Sequence, residues 1–332
     1  MRLFVLYILL VSILYGDKVI KIATYNVENL FDLKRSGYEY KEYIPNSVSE
    51  WNQKTYDIKI KHTAKVIKDI GADIIALQEI ESVEALKELK NRLKRDGLYY
   101  QYYAIADAKN TTVKVALLSK YKILYKKETP INATFRYRNI LEAKLDIDGE
   151  PLYIFVNHWK SKGGKESERV LCAKKLYQRI EEIGFDNNII ALGDFNSDYE
   201  ENKKLQKYHN NTNGMTGIND ILKTDTMTSS SDKVSTCNGC LYNLWYDTAE
   251  GNRYTYKFKK RKEALDNIIV TPYLLKNKKF HYISGSINHF ITDYLVVKGK
   301  INRWQMSKRK PKKHLGKGYS DHLPLTAEFL VK

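Results

Sequence analysis

Asn26, Glu79, His158, Asp194 with Asn196, Asp266, and Asp321 with His322 each stand beside the end of an apolar, strand-like run. A strand end is a rigid mount for a reactive side chain, so this repeated placement carries more than composition does. Any one of these residues alone is a weak sign, because a single Asp after a strand is more often a turn residue or a helix cap. Together they supply hard oxygen ligands for a Mg²⁺-type ion, a base to orient or deprotonate water, and neutral or cationic donors for phosphoryl oxygens. Hydrolysis of a phosphodiester requires that set. Two competing chemistries are excluded: no Cys/His cluster has zinc spacing, and no G-x-x-x-x-G-K-[ST] loop is present to cradle a nucleotide.

The elements that must position these residues follow from periodicity. Residues 19–25 alternate as a strand and deliver Asn26, and residues 73–78 run apolar straight into Glu79. Helical spacing covers 58–70, stopped by Gly71, and 83–93, followed by Gly97. Strands are predicted over 102–106 and 113–119. Residues 140–147 and 152–157 flank Asp148-Gly149, a hairpin signal because this dipeptide tolerates the positive φ of tight turns, and the second arm runs into His158. A helix over 168–183 is closed by Gly184, and a short buried strand over 188–192 carries Gly193-Asp194-Phe195-Asn196. Residues 200–260 are polar and poorly periodic and read as a long insertion beside the site. Strand character resumes over 264–270 and 325–331. No repeat or linker interrupts the chain, so residues 17–332 are expected to form one domain.

Composition narrows the setting. The 332 residues are 43% hydrophobic and 12% aromatic, as in a packed globular protein. Arg2, the uncharged run Leu3 to Tyr15 and then Gly16 predict a signal peptide over 1–16 and a secreted or periplasmic protein; the run is short of the about 20 apolar residues a spanning helix needs, so no stable membrane insertion is expected after cleavage. The net charge of +17 points to a polyanionic partner, with a lysine-rich surface as the bland alternative. Two basic clusters, KFKKRK from Lys257 and KRKPKK from Lys308, lie beside candidate site residues, and Tyr254, Tyr256, Phe258 and Trp304 are interleaved with them. Cys237 and Cys240 form a CxxC that favours a local disulfide over metal, since one pair cannot make a four-ligand site, and Cys172 reads as a buried helix thiol.

The chain resembles the endonuclease/exonuclease/phosphatase superfamily, which includes pancreatic deoxyribonuclease, apurinic endonucleases, bacterial sphingomyelinases and inositol polyphosphate phosphatases. The resemblance rests on TYNVENLFD from Thr24, LQEI from Leu77, VNHWKSKGG from Val156, LGDFNSD from Leu192, LDNIIVT from Leu265 and YSDHLPL from Tyr319, in family order. It implies an α/β (α+β) four-layer sandwich, two packed and mostly antiparallel β-sheets flanked by helices. It also implies Glu79 as the principal ligand of Mg²⁺, or of Mn²⁺ or Ca²⁺, with Asn26 and Asp321 near the metal. Asp194 is then expected to orient or deprotonate the attacking water and Asn196 to donate to a phosphoryl oxygen. His322, polarised by Asp266, would contact the phosphate, and His158 would be a second active-site His. His at 158, where apurinic endonucleases carry Tyr, together with NHWKSKGG, resembles secreted bacterial nucleases. Arg138, with Arg136 before it, and Lys160 and Lys162 are expected to reach the substrate backbone. Glu28 is either a ligand-supporting group or a holder of Asn26. The expected activity is that of a monomeric, divalent-metal-dependent nuclease acting on DNA or RNA; the alternatives are a sphingomyelinase, an inositol-phosphate phosphatase, and a nucleic-acid-binding protein without catalysis.

Overall fold

The computed structural model describes residues 16–134, 136–226, 237, 239–259 and 261–332. The expected leader therefore lies almost wholly outside the described residues. In chain order the elements that matter are β1 (Lys18–Leu30), α1 (Gln53–Ile70), β2 (Ile74–Ile80), α2 (Val83–Arg95), β3 (Tyr102–Ile105), β4 (Lys114–Ser119), β5 (Ile123–Thr129), β6 (Ile140–Ile147), β7 (Glu150–His158), α3 (Glu166–Ile183) and β8 (Ile189–Asp194). The C-terminal part adds β9 (Tyr242–Asn243), β10 (Tyr256–Phe258), β11 (Arg261–Glu263), β12 (Asp266–Val270), β13 (Phe280–Tyr282), β14 (Asn288–His289), β15 (Val296–Val297), β16 (Lys300–Ile301) and β17 (Leu325–Val331). One large sheet has the order β13-β17-β1-β2-β4-β3, and the other β5-β6-β7-β8-β12-β9. Each contains one parallel pair, β1 with β2 and β7 with β8, and the remaining pairs are antiparallel.

Alternation explains the layers. Ile20, Ile22, Ile74, Ala76, Val115 and Leu117 point inward and pack on Leu141, Ala143, Ile154, Val156, Leu192 and Ile268 of the other sheet. Their neighbours Ala23, Tyr25, Ile75 and Leu77 point outward, under α1 and α2. Phe155, Ala191 and Ile269 face α3 through Cys172, Ala173, Leu176 and Ile180. The result is the expected sandwich of helix, sheet, sheet and helix.

The helices begin and end where their caps dictate. The Asn52 side chain accepts from Thr55 N and Gly71 closes α1 at φ 64°, so this helix starts five residues earlier than its apolar face suggests. Ser82 caps α2 in the same way. Two parallel strands cannot be joined by a hairpin, and α1 and α3 are the crossovers that their pairing requires. The edge strand β5 escaped the sequence reading because LYKK, at its centre, is exposed and shows no apolar alternation. The polar stretch 200–260 is not featureless: it supplies β9, β10 and short helical turns. Cys237 and Cys240 are disulfide-bonded, and Cys172 is buried. Among the described residues no helix is long and apolar enough to cross a membrane.

One glycine is dictated by strand packing at the site. At Gly193, φ 132°, an added Cβ would lie 2.1 Å from the Asn157 carbonyl oxygen on the paired strand β7. Backbone cannot yield as a flexible side chain does, so Gly193→Ala is expected to lose more than about 3 kcal/mol in urea unfolding. A loss under about 1 kcal/mol would show that the two strands separate freely here.

Candidate active site

The cleft lies at one end of the sandwich, where strand termini from both sheets converge. Bulges at the ends of β1 and β2 aim the first residues. The β1–β2 register breaks after Asn26 and Gln78, and Glu28, Asn29 and Glu79 adopt φ of 52°, 65° and 67°. Asn196, on the facing rim, has φ 47°. Left-handed backbone at a non-glycine residue costs about 1–2 kcal/mol, and this clustering at one rim marks a site built for purpose rather than for stability. The Asn26 carboxamide joins the sheets: Nδ2 donates to Glu79 Oε1 at 3.2 Å and to Asp194 Oδ2 at 3.0 Å, while Oδ1 accepts from Glu28 N at 3.0 Å.

On the second sheet, register sets His158, Asp194 and Asp266 side by side on β7, β8 and β12. Asp194 Oδ1 accepts from Asn196 N at 2.8 Å, and the Asn196 carboxamide donates to Trp159 O at 3.3 Å. His322 arrives just before β17. Its Nδ1 lies 2.7 Å from Asp266 Oδ2, which also accepts from Thr255 Oγ1 at 2.6 Å. Ser320 holds this segment by donating to Asn26 O at 2.6 Å and accepting from His322 N at 3.1 Å. Asp194 Oδ2 lies 3.9 Å from His322 Nε2 and 3.5 Å from His158 Nε2. These gaps are at or beyond the limit of a direct hydrogen bond and suit a water or phosphoryl oxygen between the groups.

Burial and charge separate the protonation states. Burial opposes charge on His322, but Asp266 and Asp194 outweigh it and hold this imidazole well above its ordinary value. His158 moves the other way, lowered well below its ordinary value by burial and then by Arg138 and His322. The surroundings thus favour charge on one imidazole and oppose it on the other. Burial pushes the Asp194 carboxyl up to about 7, with His322 opposing the rise and Asp266 adding to it. Glu79 is raised by burial and by Asp321.

These residues fit a divalent cation. Glu79, Asp194 and Asp321 concentrate carboxylate oxygens around one cleft, and Glu79 receives a single side-chain donor, Asn26, among the described residues. The buried group Asp194, Asp266 and His322 also has ligand atoms within 4.8 Å of one another. There, however, Asp266 and His322 are committed to each other. Asn26, its amide nitrogen turned to Glu79 and Asp194, holds both of those carboxylates, whereas Asp321 lies 3.2 Å from Arg303.

The cleft has a volume of about 990 Å³, and its walls include Arg138 and Lys162 but not Lys160. Arg138 donates to Trp159 O at 3.3 Å, and Lys162 is paired with Glu201 at 2.9 Å. Of the two readings of Glu28, the structure shows the second: its backbone N–H holds Asn26, while its carboxylate binds Arg303, which also lies 3.2 Å from Asp321. Behind them Lys59, fully buried, donates to Val27 O, Glu28 O and Tyr319 O at 2.7, 2.8 and 3.1 Å, tying the β1 bulge to the loop of Asp321. Arg303, Tyr40 and Lys59 were missed in the sequence because none ends an apolar run. Of the other histidines, His209 lines the cleft, and His289 and His314 are buried. Tyr256 and Phe258 also line it, whereas Tyr254 and Trp304 are buried.

Residues 21–330 match the model of the Endonuclease/Exonuclease/phosphatase family. No curated protein matches the chain by sequence. Among solved structures, D. rerio TDP2 humanized by 14 mutations aligns with TM-score 0.59 and 16% identity, over 94% of this chain and 98% of that one. D. rerio TDP2 complexed with a single-strand DNA product aligns with TM-score 0.57 and 15% identity, over 94% and 98%. A mannosyl-6-phosphatase of Bacteroides thetaiotaomicron aligns with TM-score 0.56 and 16% identity, over 93% and 99%. At such identities the solved structures speak for the fold, while the family match spans nearly all of the sequence. This chain, with its strand-end carboxylates and paired Asp266 and His322, belongs to the endonuclease/exonuclease/phosphatase family.

Proposed function

We propose that the protein is a divalent-metal-dependent phosphodiesterase and that its substrate is nucleic acid. The observation that carries this reading is His322, 2.7 Å from Asp266 and 3.9 Å from Asp194, in a cleft that Arg138, Arg261 and Lys262 help to line. A Mg²⁺-type ion held by Glu79 and Asp321 would neutralise charge on the phosphoryl oxygens. The protein's own groups do the rest. Asp194 orients a water at Oδ2 and takes its proton as the water oxygen bonds to phosphorus and the bond to the leaving oxygen breaks; the leaving oxygen keeps the bonding pair and takes a proton from solvent. His322, donating its Nδ1–H to Asp266, presents Nε2–H to a non-bridging oxygen. Asn196 supplies a neutral donor and Arg138 a cationic one beside it, both side chains being held at Trp159 O. Positioning and electrostatics supply most of the acceleration in phosphoryl transfer.

Nucleic acid is favoured over a small phosphate ester by the net charge of +17 and by a hairpin, β10 with β11, that carries Tyr256, Phe258, Arg261 and Lys262 into the cleft wall. That TDP2 of the same fold is found with a single-strand DNA product agrees with it. Export of a single-domain monomer completes the proposal, on the strength of the apolar N-terminal run. The deciding experiment is a substrate panel run with Mg²⁺, Mn²⁺, Ca²⁺ and chelator. Plasmid DNA, single-stranded DNA or RNA should be cleaved with an ion and spared by chelator. Cleavage confined to sphingomyelin, inositol phosphates or sugar phosphates would overturn the nuclease reading, and no cleavage of any substrate would overturn the enzymatic one.

A further inference from the structure

We propose that a second groove, opening off the catalytic cleft across Arg303, binds the phosphate backbone of the same polynucleotide strand beyond the scissile bond. This rests on the nuclease reading and adds to it a direction for the strand and residues that grip it.

The groove has a volume of about 640 Å³ and shares Glu28, Asn29, Tyr40 and Arg303 with the catalytic cleft, so the two cavities are continuous. Arg303 stands at the junction, bound on one side to Glu28 and Asp321. Tyr40, 38% exposed, offers a ring there for a base to stack on. Beyond the junction the groove takes its cations from the basic loop, at Lys308 and Lys312. Among the described residues neither side chain has a hydrogen-bond or ion-pair partner, whereas their neighbour Lys313 is held by Glu50 at 2.6 Å. Glu42 is the acidic residue of this groove apart from Glu28, and its backbone carbonyl is engaged by His314 at 2.9 Å.

The groove is also preformed. Trp304 N donates to Glu28 Oε2 at 3.0 Å, and its indole nitrogen donates to His314 Nδ1 at 2.9 Å. The two arms of the basic loop pair through Gln305 N to Lys317 O at 2.9 Å and Leu315 N to Gln305 O at 3.0 Å. Tyr43 stacks on Phe31 at 4.5 Å and meets the His314 ring at 4.8 Å. On a braced loop the backbone is already ordered, and an unpartnered lysine gives up no ion pair on binding, so its charge is available to a polyanion.

The test compares the full chain with a Lys308→Ala/Lys312→Ala variant. A charge-matched control, Lys87→Ala/Lys94→Ala, removes two lysines of α2 that line neither cavity. Binding of a fluorescent single-stranded DNA of about 20 nucleotides is read by anisotropy in chelator, where nothing is cleaved. Loss of two phosphate contacts should weaken binding about tenfold and reduce the salt slope by about 1.4, while the control stays within about twofold. With metal, KM for the oligonucleotide should rise with kcat nearly unchanged, and hydrolysis of bis(p-nitrophenyl) phosphate should not move. Wild-type binding and KM in the groove variant would overturn the proposal while leaving the nuclease reading standing. Equal loss on the small diester, or loss of binding to anionic vesicles but not to DNA, would also overturn it. A wild type that hydrolyses the small diester yet neither binds nor cuts DNA would remove the nuclease reading and the groove with it.

Discussion

His322→Ala is expected to lower turnover of any cleaved phosphodiester by about 10³-fold, with KM changed far less. A positioned donor to a phosphoryl oxygen contributes about 10²–10³, and proton transfer or charge neutralisation by an imidazolium falls in the same range. The variant leaves the buried Asp266 carboxylate without its imidazole but with its bond from Thr255, a cost of about 3–5 kcal/mol, so retention of the fold is checked by circular dichroism beside the kinetics. Asp266→Asn, which keeps shape but removes the carboxylate that favours the imidazolium, should lose about 10²-fold. Because Asp266 acts through His322, the double variant should be no worse than His322→Ala alone. Multiplied losses in steady-state kinetics would mean that the two residues work independently, and the proposed pairing would fail.

Glu79→Gln should have the other large effect, and it can be read without turnover. In the wild type, a divalent ion at about 100 times its Kd adds roughly 2.7 kcal/mol to stability. In a chain of this size that is a rise in Tm of about 4 °C, measurable by differential scanning fluorimetry. The variant should lose that rise together with at least about 10²-fold in activity. Its metal-free Tm should not fall, and should increase, because burial and Asp321 both oppose charge on Glu79 in the absence of a cation. A metal-free variant less stable than wild type that still gains Tm from Mg²⁺ would place the ion elsewhere, with the buried group Asp194, Asp266 and His322 as the next candidate.

Lys59 shows why such sites are hard to complete from sequence. A lysine at 59 inside an amphipathic pattern reads as a solvated face. In the fold it is fully buried against three carbonyl oxygens, and burial lowers its amine to about 8 even with Glu28 and Glu79 nearby. Only the return of the chain at Tyr319, distant in sequence, supplies one of those partners. Arg303 is similar: it lies in a basic loop with nothing local to distinguish it from its neighbours, and it matters because Glu28 and Asp321 converge on it.

The sequence by itself determined the alternation that sends Ile20 and Ile22 to one face and Ala23 and Tyr25 to the other, the Asp148-Gly149 hairpin, the caps at Gly71 and Gly184, and the polar residue waiting at each strand end. Those are local facts, set by side-chain period, backbone permissiveness and capping, and each is complete within about ten residues. Which of the polar residues meet is not local. Asp266 and His322, separated by 56 positions, share a proton only because β12 and the start of β17 end at the same rim of two packed sheets. The aim of Glu79 depends on a bulge that pairing with β1 and β4 imposes, and the reach of the cleft into a second groove depends on a loop braced by Glu28 and His314. Tertiary structure decided these because a carboxylate, an imidazole or a lysine carries no partner in its own sequence; burial and the neighbours brought by the fold set its charge, its orientation and its use.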